Sequence, residues 1–273
     1  MNNSYTIITG GLGGLGSAFA LECAQQGKNL ILIDQYKQGG DLINYIQGQH
    51  GVKVDYFSCD LSDADARFKL FQELINSKIN TNGLFNVVGR EFEGSFQERT
   101  RDEMMQLINL NIGAMVDMTY HALQIRASSE RFMLVNVASL AGFFPMPFKA
   151  LYSSSKRFII NFSLALWKEI ESFGNVTVLC PAGLPTNAES MKKIFIQGFW
   201  GKITAQDTSV VVRKTMTKVQ NNIPVYIPGL PNKLMVLLAR LLPERMLAAY
   251  LAKRWSGKQE ELEIWRISDE HKS

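Results

Sequence analysis

Cysteine is scarce in this 273-residue chain: Cys23, Cys59 and Cys180 are far apart, odd in number and set in apolar or strand-like stretches. Neither a disulfide framework nor a pair of metal ligands is suggested, and a reducing cytoplasm suits such a chain. Long apolar runs are also missing, because charges break each one well before the ~20 residues that a membrane-spanning helix needs. The opening Met1-Asn2-Asn3-Ser4-Tyr5 lacks the basic stretch of a secretion signal. No like-charge block, Pro/Ser-rich tract or internal repeat occurs, which excludes disordered, collagen-like and solenoid architectures. A surplus of one charge is lacking too: 29 Lys+Arg face 25 Asp+Glu, and a net +4 is too small to point to nucleic acid.

What excess there is lies near the end. Between Lys233 and Lys258 six bases (Lys233, Arg240, Arg245, Lys253, Arg254 and Lys258) face the single acid Glu244, whereas the last fifteen residues carry two bases against five acids.

Seven short apolar runs read as strands: Tyr5–Thr9, Leu30–Asp34, Val52–Ser58, Leu84–Val88, Phe132–Val137, Val176–Cys180 and Val225–Ile227. Helical patterns at 14–26, 40–49, 63–78, 102–126, 150–172 and 208–221 separate them. Uniformly apolar strands alternating with helices predict an α/β fold of the Rossmann type: a doubly wound parallel sheet of about seven strands in three α/β/α layers. The expected organisation is one domain. Residues 1–228 would form its body, with 184–206 standing outside the alternation and 229–273 as a C-terminal helical extension.

The first strand runs into Thr9-Gly10-Gly11-Leu12-Gly13-Gly14-Leu15-Gly16 and then a helix. Glycines there permit a tight turn and let the backbone approach a pyrophosphate, whose charge the free N–H groups and the helix dipole stabilise. Two fingerprints fit at once, Gly11-x-Gly13-x-x-Gly16 and Thr9-Gly10-x-x-x-Gly14-x-Gly16. Asp34 ends the second strand 18 residues beyond Gly16, near the position of the acid that binds adenosine ribose hydroxyls. A carboxylate repels a 2′-phosphate and the glycine loop holds no Arg or Lys, so NAD is favoured over NADP.

Tyr152 and Lys156 stand one turn apart on one predicted helix face. A phenol of pKa ~10 is a poor acid or base at neutral pH, but a nearby cation favours the phenolate. Ser139 follows the fifth strand, at the end of the sheet where ligands bind in such folds, and so would face Tyr152.

These motifs, in this order, resemble those of the short-chain dehydrogenase/reductase family over residues 5 to about 190. The resemblance favours the Thr9-Gly10-x-x-x-Gly14-x-Gly16 spacing. It implies a catalytic set of Ser139, Tyr152, Lys156 and Asn111, with Asn109 as the competing register and Thr119 eight residues on favouring Asn111. It implies cofactor contacts at Thr9, Gly10, Gly14, Leu15, Gly16 and Asp34, at Asp60-Leu61 beside adenine, and at Asn86 and Gly89. Further contacts are implied at Tyr152, at Lys156, and in the loop Pro181-Ala182-Gly183-Leu184-Pro185-Thr186. Val87, Ala138 and Ala182 depart from the family pattern, and none removes a reacting group. Hydride transfer between NAD(P) and a secondary alcohol or ketone is the implied reaction, with homodimers or homotetramers expected through helices 102–126 and 150–172.

Phe92, Phe96, Phe143, Phe144, Met146 and Phe148, with Ile194-Phe195-Ile196-Gln197-Gly198-Phe199-Trp200, crowd the same end. They suggest a lipophilic substrate such as a hydroxysteroid, terpenoid or acyl chain. The segment from Leu234 to Trp255 reads as two helices meeting at Pro243, apolar and basic, fit to touch a membrane surface through 233–255, cover the active-site mouth or bind another subunit. Two other classes fit the sequence less well. A non-catalytic dinucleotide-binding regulator is disfavoured by the intact Ser139, Tyr152 and Lys156. An NAD-retaining epimerase or dehydratase needs a larger substrate domain than the ~85 residues after Pro181 could supply.

Overall fold

Neighbouring residues of each strand point to opposite faces of the sheet, and here both faces are apolar. Ile8, Leu30, Leu32, Met133 and Val135 join the core on one side, and Ile7, Ile31, Ile33, Phe132 and Leu134 join the core on the other. The strands are β1 (Ser4–Thr9), β2 (Asn29–Asp34), β3 (Val54–Ser58), β4 (Asn80–Asn86), β5 (Phe132–Val137), β6 (Gly174–Leu179) and β7 (Val225–Tyr226). In this computed structural model, which describes residues 4–186, 188–196 and 198–256, they form one sheet in the order β3-β2-β1-β4-β5-β6-β7. Every pairing is parallel. Burial on both faces is what an all-parallel sheet requires.

The chain builds outward from β1 to β3, then crosses back to β4 and builds the other way. The C-terminal ends of β1 and β4 therefore flank the switch point at which a crevice opens. Helices α1 (Gly14–Gln25), α2 (Gly40–His50), α3 (Ala64–Asn76), α4 (Arg101–Ile108), α5 (Ala114–Gln124), α6 (Ala150–Glu169), α7 (Ala188–Ile196), α8 (Gly198–Thr204) and α9 (Thr208–Gln220) follow. Asp63 caps α3, Thr100 and Glu103 form a capping box on α4, and Asp207 caps α9. Past β7, α10 (Leu230–Ala239) and α11 (residues 244–256) meet at Pro243 as anticipated.

Two expectations need correction. The fourth strand begins at Asn80, not Leu84, because its polar start is satisfied inside the fold. Thr6 Oγ1 donates to Asn82 Oδ1 at 2.8 Å, and Asn82 Nδ2 donates to Ser4 Oγ and Glu130 Oε2, both at 3.0 Å. The helix expected over 102–126 is not continuous: Asn109–Gly113 is a π-helical turn between α4 and α5. Gln197, Lys258 and the acidic final residues lie outside the described residues, as do the side chains of Phe199 and Trp200.

Candidate active site

The N-terminus of α1 differs from those of α3, α4 and α9. Gly13 offers no side-chain cap and the first turn holds no acid. Its N–H groups and positive dipole end are thus open to an anion. Gly10 sits at φ +65°, a left-handed conformation that favours glycine. Gly16 is buried behind it, while Leu15 packs on the core. A Cβ on Gly14 would come within 2.5 Å of the Thr186 carbonyl oxygen, so the loop after β6 lies directly over the glycine turn.

Asp34 is fixed by the same turn: Leu12 N donates to Oδ2 at 3.0 Å and Gln35 N to Oδ1 at 2.8 Å. Gly10, Asp34, Asp60, Leu61 and Gly89 line a cavity of about 440 Å3. Arg67 steadies its rim by donating to the Leu61 carbonyl at 2.7 Å while paired with Asp117. These features fit a dinucleotide: donors for a pyrophosphate, an aimed carboxylate for ribose hydroxyls and room for an adenosine.

Two expected contacts act from behind the cavity. Thr9 Oγ1 accepts from Val87 N and Val88 N at 3.0 and 3.2 Å, bracing the end of β4. Asn86 is buried and turns sideways, donating to Thr119 Oγ1 and Asn136 Oδ1. Its role here is to tie β4 to β5 and α5.

A second cavity, of about 310 Å3, is lined by Ser139 and Tyr152 together with Ala182, Gly183, Met235 and Trp255. Ser139 caps the short turn at Leu140–Phe143, and Pro181 holds that turn by accepting from Leu140 N at 2.7 Å. Lys156 is buried one turn along α6 from Tyr152, its Nζ donating to the Val137 carbonyl at 3.1 Å and lying 5.7 Å from the Tyr152 ring centroid. A Cβ on Gly89 would meet Lys156 Nζ at 3.1 Å and Asn111 Oδ1 at 3.3 Å. Gly89 therefore joins the dinucleotide cavity to the Tyr/Lys pair.

The π-helical turn gives the two asparagines different surroundings. Asn109 is exposed, whereas Asn111 is buried, accepts from Arg90 N at 2.8 Å, and donates to Arg90 O and Ser155 Oγ. One such wide turn re-aims a side chain, and these turns concentrate at functional sites.

Burial pushes the Tyr152 phenol above its ordinary pKa. Glu91 adds to the rise, and a hydrogen bond shared with Ser139 opposes it. Burial also lowers Lys156 to about 8, against the opposing pull of Glu91. The depression of the Tyr152 pKa expected from Lys156 is not seen; desolvation governs the group first.

The apolar mouth is only partly as expected. Phe144, Met146 and Ile194 line the second cavity, but Phe92 is held between Arg90 and Arg99, and Phe96 and Phe195 are exposed. Sequence reasoning missed a charged wall. Lys149 Nζ bonds to Glu91, lies 3.3 Å from Glu93 and sits 4.6 Å from the Trp255 ring centroid. Glu93 Oε1 is buried with no hydrogen-bond partner among the described residues. The run Arg90-Glu91-Phe92-Glu93 after β4, at the same end of the sheet as Ser139, was the available signal.

A parallel α/β sheet with a glycine turn at its switch point and a Ser, Tyr and Lys beside a second cavity defines a dinucleotide-type dehydrogenase class. The family model for short chain dehydrogenases matches residues 4–195, and the chain belongs to that family. It is 31% identical over 193 residues to a very-long-chain 3-oxoacyl-CoA reductase of Pyrenophora tritici-repentis, covering 68% of this chain and 56% of that protein. The chain spans about half the length of the curated relatives it matches. Among solved structures, a 7β-hydroxysteroid dehydrogenase superposes with a TM-score of 0.82 at 22% identity, covering 92% of this chain and all of that one. A Sphingobium yanoikuyae short-chain dehydrogenase in complex with NADPH gives 0.70 at 21%, over 97% and 96% of the two chains.

Proposed function

We propose that this protein is an NAD-dependent oxidoreductase interconverting a secondary alcohol and a ketone on a lipophilic substrate. The observation that carries the reading is the placement of Ser139 and Tyr152 on one cavity wall, with Lys156 linking them through Gly89 to the dinucleotide cavity. A dinucleotide bound there would supply or accept the hydride. Tyr152 transfers the proton at the substrate oxygen, Ser139 donates a hydrogen bond to that oxygen, and Lys156 would hold the nicotinamide ribose and favours the phenolate when ionised. Asn111 holds Arg90 and Ser155 in place beside them. Asp34 supports NAD over NADP, since a fixed carboxylate repels a 2′-phosphate.

The name of the curated relative, a very-long-chain 3-oxoacyl-CoA reductase, agrees with a lipophilic substrate. Phe144, Met146, Ile194, Met235 and Leu251 supply the apolar part of the cavity wall. The extension from Gly229 is read as part of the same unit, supported by Asn232, which is buried and donates to the Thr204 and Pro228 carbonyls. A homodimer or homotetramer is proposed from the family resemblance.

The test is nicotinamide absorbance with NADH and NADPH across hydroxysteroid ketones, long-chain 3-oxoacyl esters and small ketones. Turnover with NADH on the large substrates is expected. Tyr152→Phe should cut it by ~10²–10⁴-fold with NADH binding retained; ordinary turnover by that variant sinks the assignment.

A further inference from the structure

Helices α10 and α11 have two different faces. Inward, Val236, Leu247 and Leu251 are buried, and Met235, Leu251, Arg254 and Trp255 line the cavity that holds Ser139 and Tyr152. Outward, Leu230, Leu234, Leu237, Leu238 and Leu241 recur at helical spacing along one stripe. Leu242 ends it before Pro243, Met246 and Tyr250 continue it on α11, and all eight side chains are between 48% and 78% exposed. Apolar side chains grouped on a surface in this way mark contact sites, because covering them is favourable.

Charge selects the partner. Lys233, Arg245 and Lys253 are exposed on the same two helices, against the one acid Glu244. Two copies of this face would set like charges against each other. An anionic bilayer instead takes the leucines among its acyl chains and pairs the cations with its phosphates. We propose that the outer face of α10 and α11 docks on an anionic lipid bilayer, holding the substrate cavity on their inner side at the membrane surface. Docking stands on these leucines and cations alone. Its consequence, that a lipophilic ketone passes from the bilayer to the cavity without crossing bulk water, rests on the reaction proposed above.

Flotation of the full chain with phosphatidylcholine vesicles, with and without phosphatidylglycerol, reads docking in the absence of any substrate. The protein should float with the anionic vesicles, remain at the bottom with neutral ones and be released as salt is raised. Leu237→Asp combined with Leu241→Asp, both at exposed positions, should lower the floated fraction at least about tenfold at unchanged melting temperature and NADH binding. A wild-type chain that stays at the bottom with both vesicle types overturns the proposal, as does a double variant that floats like wild type. If neither floats and the variant turns a dimer into a monomer by light scattering, the face belongs to a second copy and the proposal fails. Failure of the reaction itself would show differently, as a protein that floats but turns over no substrate.

Discussion

Burial of the Lys156 ammonium gives the residue scale a measurable consequence. Its proton is held more weakly in the folded protein, at about 8 against the ordinary 10.5, so between those values the unfolded chain binds more protons and the folded state gains stability as pH rises. Lysine at this position thus contributes stability at high pH that is lost as pH falls through about 8. In Lys156→Met no such proton is involved. Thermal melts from pH 7 to pH 10 should show the variant at or above wild type near pH 7, with wild type gaining on it as pH climbs. A gap independent of pH would remove the buried-cation reading. The same variant should retain less than about a hundredth of wild-type turnover, since Tyr152, proposed to transfer the proton, loses its neighbouring charge.

At the scale of elements, the π-helical turn at Asn109–Gly113 is the clearest case of local structure set by a site. Nothing in the sequence pattern interrupts the helical period there, so a continuous helix was expected. The turn widens because Asn111 is drawn inward to both backbone groups of Arg90 and to Ser155, and those buried bonds outweigh one irregular step in the ladder. Asn111→Ala leaves Arg90 N and O without these partners. The expected loss is roughly 1–3 kcal/mol of stability, seen as a melting temperature lower by several degrees, together with a reduced kcat. A variant with full stability and full kcat would show that the turn is not held by this side chain.

Across the whole molecule, the C-terminal helices complete the cavity that holds Ser139 and Tyr152. Trp255 of α11 stacks over Lys149, which is itself paired to Glu91 and Glu93 beyond β4, so three distant parts of the chain close on one point. Arg240 adds a second tie by lying 5.8 Å from the Phe143 ring centroid. Trp255→Ala removes a large apolar surface from the cavity wall while leaving the glycine turn and Asp34 untouched. KM for a lipophilic ketone should rise about tenfold or more, as expected for losing ~1.5–3 kcal/mol of apolar burial, with NADH affinity unchanged. An equal loss of NADH affinity would mean that α11 shapes the dinucleotide cavity as well.

Sequence alone determined whatever depends on local pattern. The apolar strands and their alternation with helices gave the parallel sheet. The glycine turn, Asp34, Ser139, Tyr152 and Lys156 were named by spacing and family resemblance, and they converge because a doubly wound sheet brings the C-terminal ends of its strands to one edge. The beginning of β4 escaped because Asn80, Thr81 and Asn82 are polar, and only the packed fold shows Ser4, Thr6 and Glu130 satisfying them. Tertiary structure alone decided which asparagine turns inward, that Thr9 and Asn86 brace strands, and that the Tyr152 pKa is governed first by burial. It also gathered Glu91, Glu93, Lys149 and Trp255, separated by up to 164 residues in the chain, into one cavity wall. Such meetings depend on long-range packing and on what each buried polar group finds beside it, and no period or spacing in one sequence carries that information.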